Sequence, residues 1–235
     1  MRLLGIDTST AGTAVALRLG DGTAREARDD PPAGAHPGHA TKLLALAESL
    51  LAEAGIGWKE LDRIAVGVGP GTFTGLRVGV TTARGLAQSL DVELVGVGSL
   101  AALAEPALAQ GRVLAVLDAR RGEVFAAAFE RGRDGRPVAA ADPVALVPER
   151  LRGLLGGAGA GEGSIAVGDG AVRYRGQAEA AGARVPADGD PVHLVTGAAV
   201  CRLGAHLHPE TAVVPDYRRR PDAELALERA AARGA

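Results

Sequence analysis

The sequence contains one cysteine, Cys201, among its 235 residues. A single thiol excludes a disulfide framework and a zinc cluster built from cysteines, and it suits a reducing compartment. Cys201 stands between Val200 and Leu203 in an apolar segment, where free cysteine commonly serves as a small core residue. We therefore expect a buried cysteine rather than a nucleophile, in a cytoplasmic protein.

Aromatic residues are also scarce, and neither sign of charge dominates. Aromatics make up 3% of the chain, and its formal net charge is −2 at pH 7. Few stacking platforms and no overall positive charge argue against strong direct binding of nucleic acid. No segment approaches the roughly 18 consecutive apolar residues of a membrane-spanning helix. With 47% hydrophobic residues the chain can bury a sizeable core, so we expect a globular protein with no membrane association.

The patterns that are present predict alternating strands and helices. The first 29 residues predict an antiparallel meander of three strands, beginning with the apolar stretch LLGID. An amphipathic stripe predicts a helix over 39–54 that stops at Gly55. A second helix is predicted over 74–88, where small residues recur every four positions. Strands from Arg63 onward are expected to be parallel, because helices separate them.

The second part of the chain repeats this alternation of predicted strands and helices. The helix after the strand ELVGV is expected to be capped by Ser99, and a domain boundary falls near Ala107. The expected domains are residues 1–107 and 108–235, with the C-terminal segment able to return to the first. A hairpin around 119–122 opens the second domain much as the meander opens the first, which suggests a duplicated fold.

A carboxylate and two hydroxyls close the first strand, in the order Asp7, Thr8, Ser9. Hydroxyls suit phosphate oxygens and Asp suits a hard cation, so this group could lie beside a phosphate or its metal. The same residue types also satisfy backbone groups in turns. Spacing alone leaves both interpretations open, and the turn is the simpler one.

The glycine-rich loop GVGPGTFTG, residues 67–75, leads from a strand into the second helix. Gly69 and Gly71 could bring backbone amides close to an anion at the helix N-terminus. The loop lacks the Lys of a P-loop and a glycine of the dinucleotide fingerprint, so a tight strand-to-helix turn is the alternative. A second short motif, Gly168-Asp169-Gly170, follows a strand that is predicted later in the chain.

Three other patterns carry weaker indications. Residues 96–101 match the GxGxxA dinucleotide fingerprint, with Asp118 at a distance suited to a ribose, but no simple βαβ unit opens the chain. His36 and His39 lack a third metal ligand, so we expect a solvated loop or helix start. The run 218–220 of three arginines stands beside acidic residues, as in a solvated tail. No GxSxG motif or Cys/His pair supports a hydrolase.

Several stretches together resemble the TsaB (YeaZ) family of tRNA threonylcarbamoyladenosine biosynthesis proteins. They are GIDTST, HATKLLALAESLLAEAGI, DRIAVGVGPGTFTGLRVGVTTARGLA and GVGSLAALA, then DARRGEVFAAAF, GDGA and PDYRR. In PDYRR, Arg218 stands where the family usually has Leu, and the Gly-rich residues 153–163, an expected surface loop, match no family pattern. The resemblance implies an α/β fold of the actin-like, sugar-kinase and Hsp70 ATPase superfamily, with two domains of mixed sheet and flanking helices.

The resemblance also implies a function, by comparison with the catalytic paralogue TsaD. TsaD carries two metal-binding histidines where this chain has Ser99 and Leu103. Without those ligands we expect no metal site and no threonylcarbamoyl transfer by this chain alone. The resemblance implies a non-catalytic accessory subunit that binds and activates TsaD for synthesis of threonylcarbamoyladenosine (t6A) at position 37 of tRNA. A small-molecule kinase or ATPase of the same fold is the alternative.

The implied partners are TsaD and the ATPase TsaE, with a homodimer in the absence of TsaD. Transfer RNA is expected to be reached only through the complex. No cofactor is expected on this chain alone, and ATP or ADP could bind at the level of the complex. A degenerate nucleotide site is expected from Asp7, Thr8, Ser9, Gly69, Gly71, Gly168, Asp169 and Gly170.

The two N-terminal helices are the implied partner surface. Small residues on one helix admit ridges from another helix. Leu44 and Leu46 lie outside the amphipathic stripe and indicate a second apolar face. The residues expected at this interface are Leu43, Leu44, Leu46, Leu50, Leu51, Gly75, Arg77, Gly79 and Arg84.

Overall fold

The computed structural model describes residues 1–32, 34–156, 163–210 and 212–218. β1, β2 and β3 of its first sheet pair antiparallel, whereas β4 pairs parallel with both β1 and β5. The strand order is β3-β2-β1-β4-β5. The meander and the parallel strands are therefore confirmed. The five strands are β1 (Leu3–Asp7), β2 (Thr13–Arg18), β3 (Ala24–Asp29), β4 (Arg63–Gly69) and β5 (Glu93–Gly98).

Helices α1 (His39–Ala54) and α2 (Phe73–Leu90) pack against this sheet. The amphipathic stripe of α1 is buried in a core shared with β1, β2 and β4, as its period requires. Gly55 ends α1 in the left-handed conformation at φ 69°, which glycine adopts without a steric penalty. Both predicted helices are confirmed, and α2 extends slightly further at each end.

The second sheet repeats the topology of the first. Its main path is β11-β10-β6-β7-β8, with β9 also paired to β7. β6 pairs antiparallel with β7 and parallel with β10, as β1 does with β2 and β4. The predicted duplication is confirmed. The strands are β6 (Val113–Arg120), β7 (Glu123–Arg131), β8 (Pro137–Ala139), β9 (Val144–Leu146), β10 (Ser164–Val167) and β11 (Ala183–Arg184).

Four shorter α-helices and four 3-10 helices complete the described structure. One 3-10 helix, Pro148–Leu155, ends with the buried Leu155, so the first residues of the segment 153–163 do not form the expected surface loop. α4 (Asp169–Arg173) and α5 (Arg175–Ala180) pack on the second sheet and its neighbours, whereas α6 (Gly197–Gly204) packs on the first. α3 (Ser99–Ala104) contacts strands of both sheets. No helix in the described ranges combines the length and apolar character needed to cross a bilayer. The core around α3 and α6 draws on both halves of the chain, including Leu3, Val97, Leu103, Leu117 and Val200.

Cys201 joins α6 to the first sheet. Its Sγ lies 3.6 Å from the Leu3 carbonyl oxygen and 3.5 Å from that of Ala16. A Cβ added at Gly5 would lie 2.6 Å from this sulfur, so the glycine lets the helix approach the strand. Burial raises the pKa of the thiol to about 12, which keeps it protonated at neutral pH. The predicted core role of Cys201 is confirmed.

Candidate functional site

Asp7 ends β1 with its side chain almost fully enclosed, at 1% exposure. Three groups donate hydrogen bonds to its carboxylate: the Ser9 amide at 2.9 Å, the Ser9 hydroxyl at 2.7 Å and the Ser99 hydroxyl at 2.9 Å. Burial raises the pKa of Asp7, although these donors favour the ionised form. The carboxylate is therefore engaged by the protein itself.

Ser99 does not cap α3, so that prediction is wrong. The cap position is Gly98, and no side chain caps the helix. The Ser99 hydroxyl instead donates to Asp7 and accepts from the Gly69 amide at 3.2 Å. It can reach both because α3 begins directly after β5, which lies beside β4 in the sheet. One hydroxyl thus connects the end of β1, the glycine loop and the start of α3.

The glycine loop after β4 closes over Thr8 and Ser9. The Thr72 amide donates to the Ser9 carbonyl at 2.7 Å, and the Thr8 hydroxyl donates to the Gly75 carbonyl at 2.7 Å. A Cβ at Gly71 would lie 2.4 Å from the Ser9 carbonyl oxygen, and one at Gly75 would lie 2.0 Å from that of Thr8. Only glycine permits so close a backbone approach. The space beneath the loop is therefore filled by the protein.

The second sheet carries a counterpart of this arrangement. Asp118 lies near the end of β6 as Asp7 does on β1, and Gly168 and Asp169 follow β10 as the glycine loop follows β4. The Asp118 amide donates to the Asp169 carboxylate at 2.9 Å, and the Asp118 carboxylate pairs with Arg173 at 3.1 Å. Burial raises the pKa of Asp169. Here too, the polar groups of the strand ends bind one another.

The GxGxxA pattern in residues 96–101 lacks the context of a dinucleotide fingerprint. Its first glycines end β5 and α3 follows, but the next strand, β6, belongs to the other sheet. A fingerprint requires both strands in one βαβ unit. The candidate ribose ligand, Asp118, is instead paired with Arg173 and, at 3.6 Å, with Arg120. This pattern therefore does not form a dinucleotide site.

Arg28 crosses a cleft lined by residues from both halves of the chain. Its guanidinium donates to the Val195 carbonyl at 2.7 Å and to the Asp30 carboxylate at 3.0 and 2.8 Å. The cation is thus balanced within the protein and is not free for a phosphate. Sequence reasoning missed this residue because Val195 is 167 positions away. The cleft is lined by Thr10, Ala11, Gly12, Arg28, Asp30, Pro31, Asp169, His193, Leu194 and Val195.

His36 and His39 lie in different surroundings. His36 is exposed. His39 begins α1, so the expected helix start is confirmed for it, but it is 4% exposed, so the expectation that it is solvated is wrong. Its Nδ1 lies 2.9 Å from the Thr13 hydroxyl, and burial lowers its pKa. Within the described ranges, no group of three or more His, Cys, Asp or Glu side chains is placed to hold a metal ion.

Five of the residues expected at a partner surface are instead internal to this chain. Leu43, Leu50 and Leu51 are at most 3% exposed and belong to the core around α1, because the amphipathic stripe packs on the chain's own sheet. Gly75 and Gly79 are buried against Thr8. The small-residue face of α2 therefore accommodates the end of β1 rather than a helix of another molecule.

The other four expected interface residues lie further out. Leu44 is 44% exposed, and Arg77 and Arg84 are exposed on α2. Leu46 is half-buried and packs partly on the core. Of the nine expected interface residues, these four are therefore the ones that reach the surface of the chain.

The C-terminal part of the described chain returns to the first sheet. The Asp216 amide donates to the Val68 carbonyl at 2.7 Å, and Arg218 donates to the Asp216 carboxylate at 2.7 Å. Arg218 also donates to the Pro143 carbonyl at 3.1 Å, so this residue is exposed but is not part of the predicted free solvated tail. The rest of the arginine run, Arg219 and Arg220, and residues 157–162 of the Gly-rich segment lie outside the described residues.

Comparison with known sequences identifies relatives of the chain. The sequence model of the family TsaD, tRNA N6-adenosine threonylcarbamoyltransferase, matches residues 31–175. The tRNA threonylcarbamoyladenosine biosynthesis protein TsaB of Escherichia coli (strain K12) is 36% identical over 138 residues, 57% of this chain and 58% of that protein. The chain thus spans about half the length of the curated relatives it matches.

Solved structures match over more of the chain. A Pseudomonas aeruginosa structure, described as an uncharacterized protein with similarity to peptidase YEAZ, has a TM-score of 0.78 and 30% identity. The match covers 93% of this chain and 99% of that one. YeaZ from Pseudomonas aeruginosa gives a TM-score of 0.72 at 31% identity, covering 87% and 90% of the two chains.

The chain has two sheets of the same topology, and polar strand ends lie beside a cleft lined by residues from both halves. This arrangement is the fold of the class of actin-like, sugar-kinase and Hsp70 ATPases. The loops that would approach phosphate in this class are closed here by the chain's own residues. Given its identity to the YeaZ structures over most of their length, the chain belongs to the TsaB family, also called YeaZ.

Proposed function

We propose that this chain is a non-catalytic accessory subunit for the synthesis of t6A at position 37 of tRNA, acting in the cytoplasm. The biosynthetic role in the names of its TsaB relatives supports this proposal. The observation that carries it is the closed glycine loop, whose interior is occupied by Thr8 and Ser9. A phosphate loop filled by its own backbone suits partner binding better than nucleotide chemistry.

The proposed catalytic partner is TsaD, whose family model also matches this chain. Two proteins of one fold can associate through equivalent surfaces, as the subunits of a two-fold homodimer do. The outward residues of α1 and α2 would supply this contact, and a homodimer would form when TsaD is absent. The ATPase TsaE is a further proposed partner. Transfer RNA, and any ATP or ADP, would bind to the assembled complex.

The test is t6A formation on unmodified tRNA by purified TsaD and TsaE, with threonylcarbamoyl-adenylate as the donor. We expect product when this chain is added to TsaD, and none from the chain alone. Product from the chain alone would make it an enzyme, and equal product without it would remove the accessory role. ATP hydrolysis by the isolated chain, assayed in parallel, would favour the small-molecule kinase or ATPase.

A further inference from the structure

Residues 212–218 form a segment that is neither helix nor strand, which we call the C-terminal strap. Val213 anchors the strap, because it is 1% exposed and belongs to the core that packs α1 and α2 against the first sheet. A Cβ added at Gly96 of β5 would lie 3.3 Å from the Val213 Cγ1 atom, so this glycine leaves room for the valine. The strap is therefore fixed to the sheet near its first residue.

Beyond Val213 the strap contacts the glycine loop. The Asp216 amide donates to the Val68 carbonyl at 2.7 Å, and a Cβ added at Gly69 would lie 3.1 Å from the Asp216 carbonyl oxygen. The centre of the Tyr217 ring lies 5.1 Å from that of Phe73, the first residue of α2. The strap thus holds both the start of the glycine loop and the first turn of the helix that follows it.

The last described residue of the strap reaches the second sheet. The Arg218 guanidinium donates to the Pro143 carbonyl at 3.1 Å, directly before β9, which pairs with β7. The same guanidinium donates to the Asp216 carboxylate at 2.7 Å, which helps to orient it. A short segment therefore contacts the glycine loop on one sheet and the β8–β9 connection on the other.

The part of the strap after Val213 buries little apolar surface. Val214 is 61% exposed and Tyr217 is 42% exposed, and Arg218 is also exposed. Segments that are held by individual hydrogen bonds and exposed side chains open locally at a lower free energy than the core. Residues 214–218 can therefore detach while Val213 stays in place and both sheets remain folded.

We infer that residues 214–218 are a releasable clasp that keeps the glycine loop closed and connects it to the second sheet. When the clasp detaches, the Val68 carbonyl loses its donor and Phe73 loses its ring partner, so the loop and the first turn of α2 gain freedom. When the clasp is seated, Arg218 connects the position of the loop to that of β9. The inference goes beyond the proposed function and does not depend on it.

The test is hydrogen–deuterium exchange of the full-length chain, followed by mass spectrometry. Two amides report on the closed loop, because Gly69 donates to the Ser99 hydroxyl and Thr72 donates to the Ser9 carbonyl. In Tyr217→Ala/Arg218→Ala, exchange in peptides covering residues 68–76 is expected to be about tenfold faster than in the wild type. Peptides from α1 should exchange at the wild-type rate, and an unchanged urea midpoint of Trp58 fluorescence verifies that the variant folds.

The matched control is Val214→Ala, which shortens an exposed side chain of the same strap and should leave the exchange of the loop unchanged. The single variant Arg218→Ala separates the two connections. It removes the hydrogen bond to Pro143, so exchange in peptides covering β9 is expected to rise.

Four outcomes would contradict the inference. Unchanged exchange of the loop in the folded double variant would mean that the contacts with Ser9 and Thr8 close the loop without the clasp. Equal acceleration in Val214→Ala would mean that any change in the strap disturbs the loop. Acceleration of the α1 peptides by the same factor would show a general loss of stability instead of local release. Unchanged exchange at β9 in Arg218→Ala would overturn the connection to the second sheet.

Discussion

Single hydroxyl and imidazole groups hold the strand ends of the first sheet together. The Ser99 hydroxyl lies between the buried Asp7 carboxylate and the Gly69 amide and bonds to both. His39 is enclosed at the start of α1, beside the Thr13 hydroxyl. Because polar groups inside a protein are costly to leave without partners, the stability of the chain depends on these individual contacts.

Ser99→Ala is expected to lower the free energy of unfolding by about 1–3 kcal/mol, since it leaves a buried carboxylate short of one donor. The measurement is urea denaturation at neutral pH. Ser49→Ala is the control, because that hydroxyl bonds Glu53 on the exposed face of α1, and its effect should stay within about 0.5 kcal/mol. Equal effects at the two positions would mean that Asp7 does not depend on Ser99.

Because His39 is buried, we predict that the protein loses stability on acidification. Burial lowers its folded-state pKa below the ordinary value of 6.5, with Asp7 and Asp29 acting in the opposite direction. Below pH 6.5 the unfolded chain therefore takes up a proton here that the folded chain resists, so stability falls as the pH falls. Between pH 7 and 5 the fall should be steeper in the wild type than in His39→Gln, by at most about 1.4 kcal/mol per pH unit.

Urea unfolding at several pH values measures this difference. Parallel pH profiles for wild type and His39→Gln would show that His39 takes up its proton equally well in the folded chain.

At the scale of the secondary-structure elements, two glycines allow helix α2 to pack close to the end of β1. Gly75 and Gly79 face Thr8, whereas Gly85, on the same helix, faces open space. Glycine weakens a helix by its conformational freedom, so its use at the first two positions reflects the close approach to the end of β1. The outward side of the helix is left to polar residues and the two arginines.

Gly79→Ala is expected to destabilise the protein by about 1–3 kcal/mol, because the new Cβ would lie 2.2 Å from the Thr8 hydroxyl oxygen. Gly85→Ala adds the same methyl group with no atom nearby and should stabilise by about 0.5–1 kcal/mol. Urea denaturation of the two variants measures the contrast. A similar change in both would show that helix propensity alone decides the effect.

The elements were more predictable than the contacts between them. α1 has a local periodic stripe, and the burial of Leu43 and Leu50 follows from it. Ser99 was assigned to a helix cap because its residue type suits one, but its acceptor, Asp7, lies 92 positions away. The polar residues of the candidate site were found by type, whereas their partners depend on how β1, the glycine loop and α3 are placed in space, which no local pattern encodes.

Over the whole molecule, the two sheets share buried surface. The segment that joins them, Glu105–Gln110, contains the buried Ala107 and Leu108, so the place predicted for a domain boundary is not an exposed linker. α6 comes from the second half of the chain and packs on the first sheet. Such sharing couples the folding of the halves and favours a single cooperative transition.

Phe129→Ala tests this coupling. Phe129 lies on β7 in the shared core, and its truncation should cost about 3–5 kcal/mol. The single tryptophan, Trp58, reports on the first half of the chain. Its fluorescence and the far-UV circular dichroism should move together to one lower urea midpoint, while the exposed Val138→Ala leaves both in place. A Trp58 midpoint that stays fixed while the dichroism splits would support independent domains at 1–107 and 108–235.

The closed glycine loop also limits the evolutionary routes open to this chain. The atoms nearest to Gly71 and Gly75 are the carbonyl oxygens of Ser9 and Thr8, which every amino acid carries. A single codon change replaces a side chain and leaves these oxygens in the main chain. A phosphate pocket at this place would therefore require a new path for the backbone between β1 and β2. Exposed side chains on the outer faces of α1 and α2 can instead change one residue at a time without altering the path of the backbone.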